Sequence, residues 1–247
     1  MLAKTLETRH LNMIALGGSI GTGIFLASGY AISVAGPGGA LIAYLLISIM
    51  VFFLITSLGE LSTYRPSTGT FCEYSGDYVN KPFGYAMGIN YWFNWSITIA
   101  AEISAAVIVM KFWFPGGSDL AFSAIFFFVI FGLNLFTVRV FGEVEYFMSM
   151  LKVLVIITVI ILGTILVFGQ PKFGLNNFFI ADAPFHNSWK GFFAVFLLAG
   201  FSFQGSELIG VTSGEARDPA TSIPKAVKNV FWRLILFYIL ATVIISL

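Results

Sequence analysis

Gly17-Gly18-Ser19-Ile20-Gly21-Thr22-Gly23 interrupts an otherwise apolar, helix-length run that extends from Leu11 to Ala35. In hydrocarbon, a backbone that leaves the helix must face a cavity or lie buried in protein, because lipid offers its freed N–H and C=O groups no partner. The stretch therefore predicts a broken membrane helix whose break marks a site. A second interruption, Gly200-Phe201-Ser202-Phe203-Gln204-Gly205-Ser206-Glu207, again falls in the middle of an apolar run. Paired interruptions in the two halves of a membrane protein point to a substrate pocket between them, so transport is the leading functional expectation.

The rest of the chain agrees with a bilayer setting. Of its 247 residues, 58% are hydrophobic and 10% charged, against about 25% charged in a typical soluble domain. A water-soluble fold could not hide so much apolar surface, and the lipid bilayer is the expected partner. The 17% aromatic content suits a lipid-facing surface with Trp and Tyr near the interfaces. A net charge of +1, with lysines and arginines scattered over short loops, gives nucleic acid no patch to grip, and no nucleic-acid partner is expected. Cys72, the sole cysteine, excludes an internal disulfide framework or a cysteine-based zinc site within one chain, and reads as a small loop residue. The first apolar run is too long for a signal-peptide core and lacks a cleavage pattern, so it reads as the first span.

Runs of about 20 apolar residues, the length that crosses a bilayer, fall at 11–35, 38–61, 83–111, 120–138, 146–169, 189–212 and 229–247. The expected fold is an all-α membrane protein of seven transmembrane helices. Gly36-Pro37-Gly38-Gly39, Lys81-Pro82, Pro115-Gly116-Gly117 and Gln170-Pro171 punctuate the boundaries. With the N-terminus in the cytoplasm, that side holds Lys4, Arg9, Arg65, Lys81, Arg139, Arg217, Lys225, Lys228 and Arg233, and the outer side only Lys111, Lys172 and Lys190. This asymmetry favours a multi-pass protein of the cytoplasmic membrane with an inner N-terminus. The last run reaches Leu247 without a polar tail, which reads as a fragment or truncated product.

Glu102, Lys152 and Glu207 are ionisable and lie within spans, where charge is costly and by default marks an ion or substrate path. Glu102 and Lys152 have a plainer reading too, as a structural pair or as groups that snorkel to the headgroups. The half-helix after Gly21 would present the N–H groups of Thr22, Gly23 and Ile24 at the positive end of its dipole, a seat for a carboxylate. At the second break, freed carbonyls of Phe201, Ser202 and Gln204 could accept from an ammonium group. The two ends together suit a zwitterion, although glycines in membrane helices also serve close packing. Arg65, Glu73, Asp77 and Lys81, which follow Glu60, read as solvated or interfacial pairs. Gly214-Glu215-Ala216-Arg217-Asp218-Pro219, leading to Ile223-Pro224-Lys225-Ala226-Val227, reads as a structured loop or a gate. His10 and His186 are isolated, no metal-ligand cluster stands out, and no zincin, Walker or nucleophile-elbow pattern occurs, so an enzyme is not expected.

Six stretches, Gly17–Phe25, Ala35–Ala40, Thr56–Leu61, Asn90–Trp95, Phe141–Tyr146 and Gly200–Gly210, resemble the amino acid–polyamine–organocation superfamily. The similarity is closer still to bacterial amino acid permeases of the lysine-specific type, and it covers essentially the whole chain. The resemblance implies a five-plus-five inverted repeat with helices 1 and 6 unwound around an amino acid. The first repeat would span about 11–169, and the second would begin at about 189–247. It implies that amides around Thr22 and Gly23 take the substrate carboxylate, and carbonyls near Ser19, Phe201 and Gln204 its amino group. Gly21, Ile24 and Ser202 complete that backbone shell, and Phe201 matches an aromatic that screens the occupied site. Lys152 matches a fifth-helix lysine that, in proton-coupled relatives, stands where sodium binds in sodium-coupled ones, so the proton is the expected coupling ion and no cofactor is expected. Glu102 matches an acidic third-helix position suited to a cationic side chain. Lysine is thereby the preferred substrate, with permeases for neutral or aromatic amino acids as the alternative. The family's eighth helix and the rest of its second repeat are absent, so the 247-residue chain is expected not to transport alone. Two other classes are a seven-span receptor, whose outer N-terminus opposes the charge count, and a small channel or scaffold, for which no repeated polar ring or re-entrant loop is visible.

Overall fold

A computed structural model describes residues 8–135, 138–169, 174–179, 183–216 and 218–247. Every regular element among them is helical. Lys4, Gln170, Pro171, Lys172 and Arg217, which entered the charge and boundary readings, lie outside the described residues.

Helix α1, Thr8–Ser19, stops before a bend at Ile20 and Gly21, where Gly21 is extended at φ −143°, ψ −154°. A single turn, α2 (Thr22–Phe25), follows, and after Leu26 the chain enters α3, Ala27–Tyr64. The glycine-proline stretch expected to mark the boundary between the first two spans is instead a one-residue kink inside α3. Gly36 there holds φ 75°, ψ 166°, a region essentially restricted to glycine, and Pro37 has no N–H to continue the ladder. The segment from Pro184 to Asn187 satisfies the kink. The Pro184 carbonyl accepts from Gly38 N at 2.9 Å and Gly39 N at 3.3 Å, while His186 N donates to Ala35 O at 3.0 Å. Asn187 Nδ2 adds a bond to Val34 O at 3.0 Å.

Helix α4 (Thr70–Tyr78) carries Cys72, which is thus helical and half-buried rather than a loop residue. Helix α5, Lys81–Trp113, starts at an Asn80 cap whose side chain accepts from Phe83 N at 2.8 Å, with Pro82 in the first turn where its missing N–H costs nothing. Helix α6, Asp119–Asn134, is capped by Ser118 and stops short of the expected 138. Helix α7, Val138–Gly169, begins eight residues before the expected 146, and Glu145 of these added turns lines the cavity described below. Then come a 3₁₀ turn (Leu175–Phe178), α8 (Ser188–Ser202), a run of turns over 203–207, α9 (Leu208–Val211) and a second 3₁₀ turn (Thr212–Glu215). The last helix, α10, runs Pro219–Ser246, ten residues ahead of the expected 229. Pro219 occupies its first turn, and Asp218 O accepts Ser222 N at 3.0 Å, so the prolines that suggest a loop lie inside the helix.

Ala27–Tyr64, Lys81–Trp113, Gly142–Gly169 and Pro219–Ser246 are long and apolar enough to cross a membrane. α6 and α8 are shorter apolar helices. The buried core gathers Leu16 and Ile20 of the first helix-break region, Tyr44 and Ile55 of α3, Val195 of α8 and Leu234 of α10. The flank of α7 is apolar and open, with Ile161, Leu162, Ile165 and Leu166 all exposed, as a bilayer-facing helix requires.

Candidate functional site

The two breaks meet backbone to backbone. A Cβ on Gly18 would press on Leu208 and the Gly205 carbonyl, one on Gly205 would strike Gly18, and one on Gly23 would strike Ser202. Gly17 likewise has no room for a side chain against Ser149. These glycines therefore serve close packing, the plainer of the two roles open to them in the sequence. Gly21 differs, since its open side meets only Glu102 Oε1, at 3.7 Å.

Between the breaks lies a cavity of about 490 Å³, lined by both breaks, by α5 and by α7. Of the residues singled out in the sequence, Gly21, Thr22, Gly23, Glu102, Lys152, Phe201, Ser202 and Gln204 line it. The first turn of a helix leaves its leading amides without intrahelical partners. Ile24 N bonds Gly21 O at 3.2 Å and Phe25 N bonds the same oxygen at 3.3 Å, which leaves Thr22 and Gly23 as the amides at the cavity wall. Ile24 itself is buried in the core.

Side chains from α5 reach the breaks at helical spacing. Trp95, Thr98 and Glu102 share one face of α5 and line the cavity. Thr22 Oγ1 donates to Glu102 Oε1 at 2.8 Å. Gln204 Nε2 donates to Thr98 Oγ1 at 2.8 Å. From α7, Lys152 Nζ donates to Gly17 O at 2.7 Å, so the lysine holds the end of α1 and forms no recorded ion pair with Glu102 among the described residues. Glu145 and Ser149 share its face, and Ser149 Oγ donates to Glu145 Oε1 at 3.3 Å.

Three of the singled-out groups stand apart. Ser19 is buried behind the cavity, and its carbonyl accepts from the Tyr238 hydroxyl at 2.6 Å. Glu207 lines a neighbouring hollow of about 460 Å³ with Tyr91, Asn94, Phe201 and Gln204, and its Oε2 accepts from Gly205 N at 2.8 Å. The carbonyls of the second break are partly engaged. Phe201 O accepts Gln204 N at 3.1 Å, and Ser202 O accepts the Tyr238 hydroxyl. Tyr238, Tyr44 and Thr98 were not singled out in the sequence, and Trp95 and Glu145 stood there only as members of family-like stretches without a role. The face shared by Trp95, Thr98 and Glu102 was a signal available in the spacing; the two tyrosines carried none.

Beyond the spans, Arg65 NH1 meets Asp77 Oδ2 at 2.5 Å and Lys81 Nζ meets Asp77 Oδ1 at 3.1 Å, the interfacial pairing expected of these residues. The hydrogen bond from Lys81, followed by that from Arg65, lowers the Asp77 carboxyl below its ordinary value, and the same carboxylate raises the Arg65 guanidinium.

A family model described as amino acid permease matches residues 10–247. The chain is 52% identical over 251 residues to the lysine-specific permease LysP of Escherichia coli (strain K12), a match covering all of this chain and 51% of that relative. It is 46% identical to the histidine permease HisP of Lactococcus lactis subsp. cremoris (strain MG1363), over 98% of this chain and 52% of the relative. With the lysine-specific permease LysP of the same Lactococcus strain it shares 44% identity, over 98% of this chain and 50% of the relative. The chain spans about half the length of these curated relatives.

Proposed function

Since the chain belongs to the amino acid permease family, we propose that it is the front portion of a proton-coupled permease that takes up lysine or another cationic amino acid across the cytoplasmic membrane. In this reading the chain contributes seven spans of a five-plus-five inverted repeat, with an inner N-terminus. The first repeat occupies about 11–169 and the second begins at about 189–247. Spans one and six are the broken ones.

The observation that carries the proposal is the cavity between the breaks, which combines the Thr22 and Gly23 amides with the Glu102 carboxylate. Amides at a helix start attract the substrate carboxylate. Of the carbonyls expected to take the α-amino group, those of Phe201 and Gln204 belong to residues that line the cavity, and Ser19 lies behind it. The Thr22 hydroxyl occupies one oxygen of Glu102, and the other is left to draw a cationic side chain. The relatives named for lysine support the same preference. Lys152 supplies the proton-responsive element. Its Nζ donates to Gly17 O and ties α7 to α1, and the tie depends on the lysine's charge, since hydrogen bonds from charged donors are roughly twice as strong as neutral ones.

The test is uptake by a full-length permease carrying this segment, with lysine, arginine and neutral amino acids in competition at several pH values. Glu102→Gln is expected to weaken lysine uptake at least ten-fold more than uptake of a neutral amino acid. Equal losses would assign Glu102 a structural role and leave the neutral-substrate reading in place.

A further inference from the structure

Behind the cavity wall, and not among the residues that line it, sit two tyrosines that the site chemistry described above does not use. Tyr44 of α3 and Tyr238 of α10 are fully buried, and Phe203 of the second break lies beside them. Their rings form one stack: Phe203 to Tyr238 with centroids 4.3 Å apart, and Tyr44 to Tyr238 at 5.8 Å. Packing of this kind fixes where the hydroxyls point, and both point at the breaks. The Tyr238 hydroxyl reaches Ser19 O, the last carbonyl of α1, at 2.6 Å, and also Ser202 O, the last carbonyl of α8. The Tyr44 hydroxyl reaches Gly23 O at 3.4 Å and Ser202 Oγ at 3.3 Å.

Carbonyl oxygens from two different helix ends repel each other when brought this close. One hydroxyl set between them turns that repulsion into a shared hydrogen bond, and a buried bond of this type is costly to lose because its acceptors have no water to fall back on. Gly23 and Ser202, which flank the clasp, also line the cavity, so the clasp sits directly behind the wall that faces a ligand.

The geometry points to Tyr238 as a positioning residue that sets the separation of the two broken backbones, and thereby matches the spacing of the site's anion-binding and cation-binding ends to the ammonium and carboxylate of an α-amino acid. It acts through the backbone and touches no ligand. Tyr44 has the same role through longer, weaker bonds. This inference rests on the transport reading of the cavity.

Tyr238→Phe keeps the ring and removes the hydroxyl. In a full-length permease carrying this segment, inhibition of lysine uptake is measured with lysine, 6-aminohexanoate, which lacks the α-ammonium, and 1,5-diaminopentane, which lacks the carboxylate. The unsubstituted protein is expected to prefer lysine strongly to both analogues. Tyr238→Phe is expected to weaken lysine binding about ten-fold or more and the analogues by less than three-fold, so that the preference shrinks. Tyr44→Phe is expected to shift the same ratio in the same direction by a smaller factor. A uniform loss across the three compounds, or an unchanged ratio, overturns the proposal, since a general packing defect would not distinguish them. Should Tyr238→Phe fail to reach the membrane, Tyr44→Phe is read alone in the same assay, and an unchanged preference for lysine then overturns the proposal. Absence of saturable amino acid uptake by the unsubstituted permease would instead remove the transport reading, and the proposal with it.

Discussion

At the scale of single residues, the glycines of the first break divide by what they face. Gly23 is pressed against Ser202, whereas the open side of Gly21 meets only Glu102 Oε1 at 3.7 Å. Gly23→Ala forces the two breaks apart, and overpacking of this kind costs about 1–3 kcal/mol. It is expected to lower the thermal midpoint of the detergent-solubilised permease. Gly21→Ala adds a methyl group to the cavity without striking backbone, so the midpoint should stay within a degree or two by the usual stability scaling for about 0.5 kcal/mol, while affinity for the amino acid falls. A matched drop in stability for both variants would contradict this division. The breaks themselves were legible in the sequence, because a polar, glycine-rich interruption stands out against an apolar run. Tyr44 and Tyr238 were not. A tyrosine in an apolar helix looks like any interfacial aromatic, and the bond from Tyr238 to Ser19 joins positions 219 residues apart.

At the scale of elements, the sequence located the helices better than their ends. The early start of α10 was hidden by Pro219 and Pro224, which read as loop punctuation. Placed in the first turns, Pro219 costs nothing, since the N–H it lacks would have had no partner there. The extra turns of α7 were hidden by Glu143 and Glu145, whose charge suggested a loop; Glu145 instead lines the cavity. Helix α4 poses the converse case, a short polar helix held by its charges. Asp77 accepts from Lys81 at the start of α5 and from Arg65 at the end of α3. Because its carboxyl is lowered from an ordinary value of 3.8 in the folded protein, the attachment it provides is complete above that value and is lost as pH falls through the lowered one. The groups are exposed, so the effect is local. Asp77→Asn at neutral pH is expected to speed alkylation of Cys72, whose sulfur packs on Gly88 of α5, by a few-fold. Wild-type α4 amides should lose hydrogen-exchange protection only on acidification below the ordinary carboxylate value. Unchanged labelling in Asp77→Asn would mean that α4 is held by packing alone.

At the scale of the whole molecule, burial separates a central group of helices from a peripheral one. Within its most apolar window α10 is 47% buried, whereas the corresponding window of the Gly142–Gly169 segment is only 6% buried. The breaks are therefore held by α3, α8 and α10, and approached from the side by α5 and α7. The hydrogen bonds from the Pro184–Asn187 segment to the Gly36 kink add a second tie between α3 and the start of α8. That tie bears on where the polypeptide tolerates being severed. In a full-length permease carrying this segment, a gene divided at Gly116, whose surroundings are open, should yield two pieces that restore growth when co-expressed in a transport-deficient strain. Division between Phe185 and His186 would part the residues that cap the kink, and the resulting pieces are expected to complement poorly or not at all. Growth on the limiting amino acid reads out the difference directly, and poor complementation would make Pro184–Asn187 an integral joint between α3 and α8 rather than a tether.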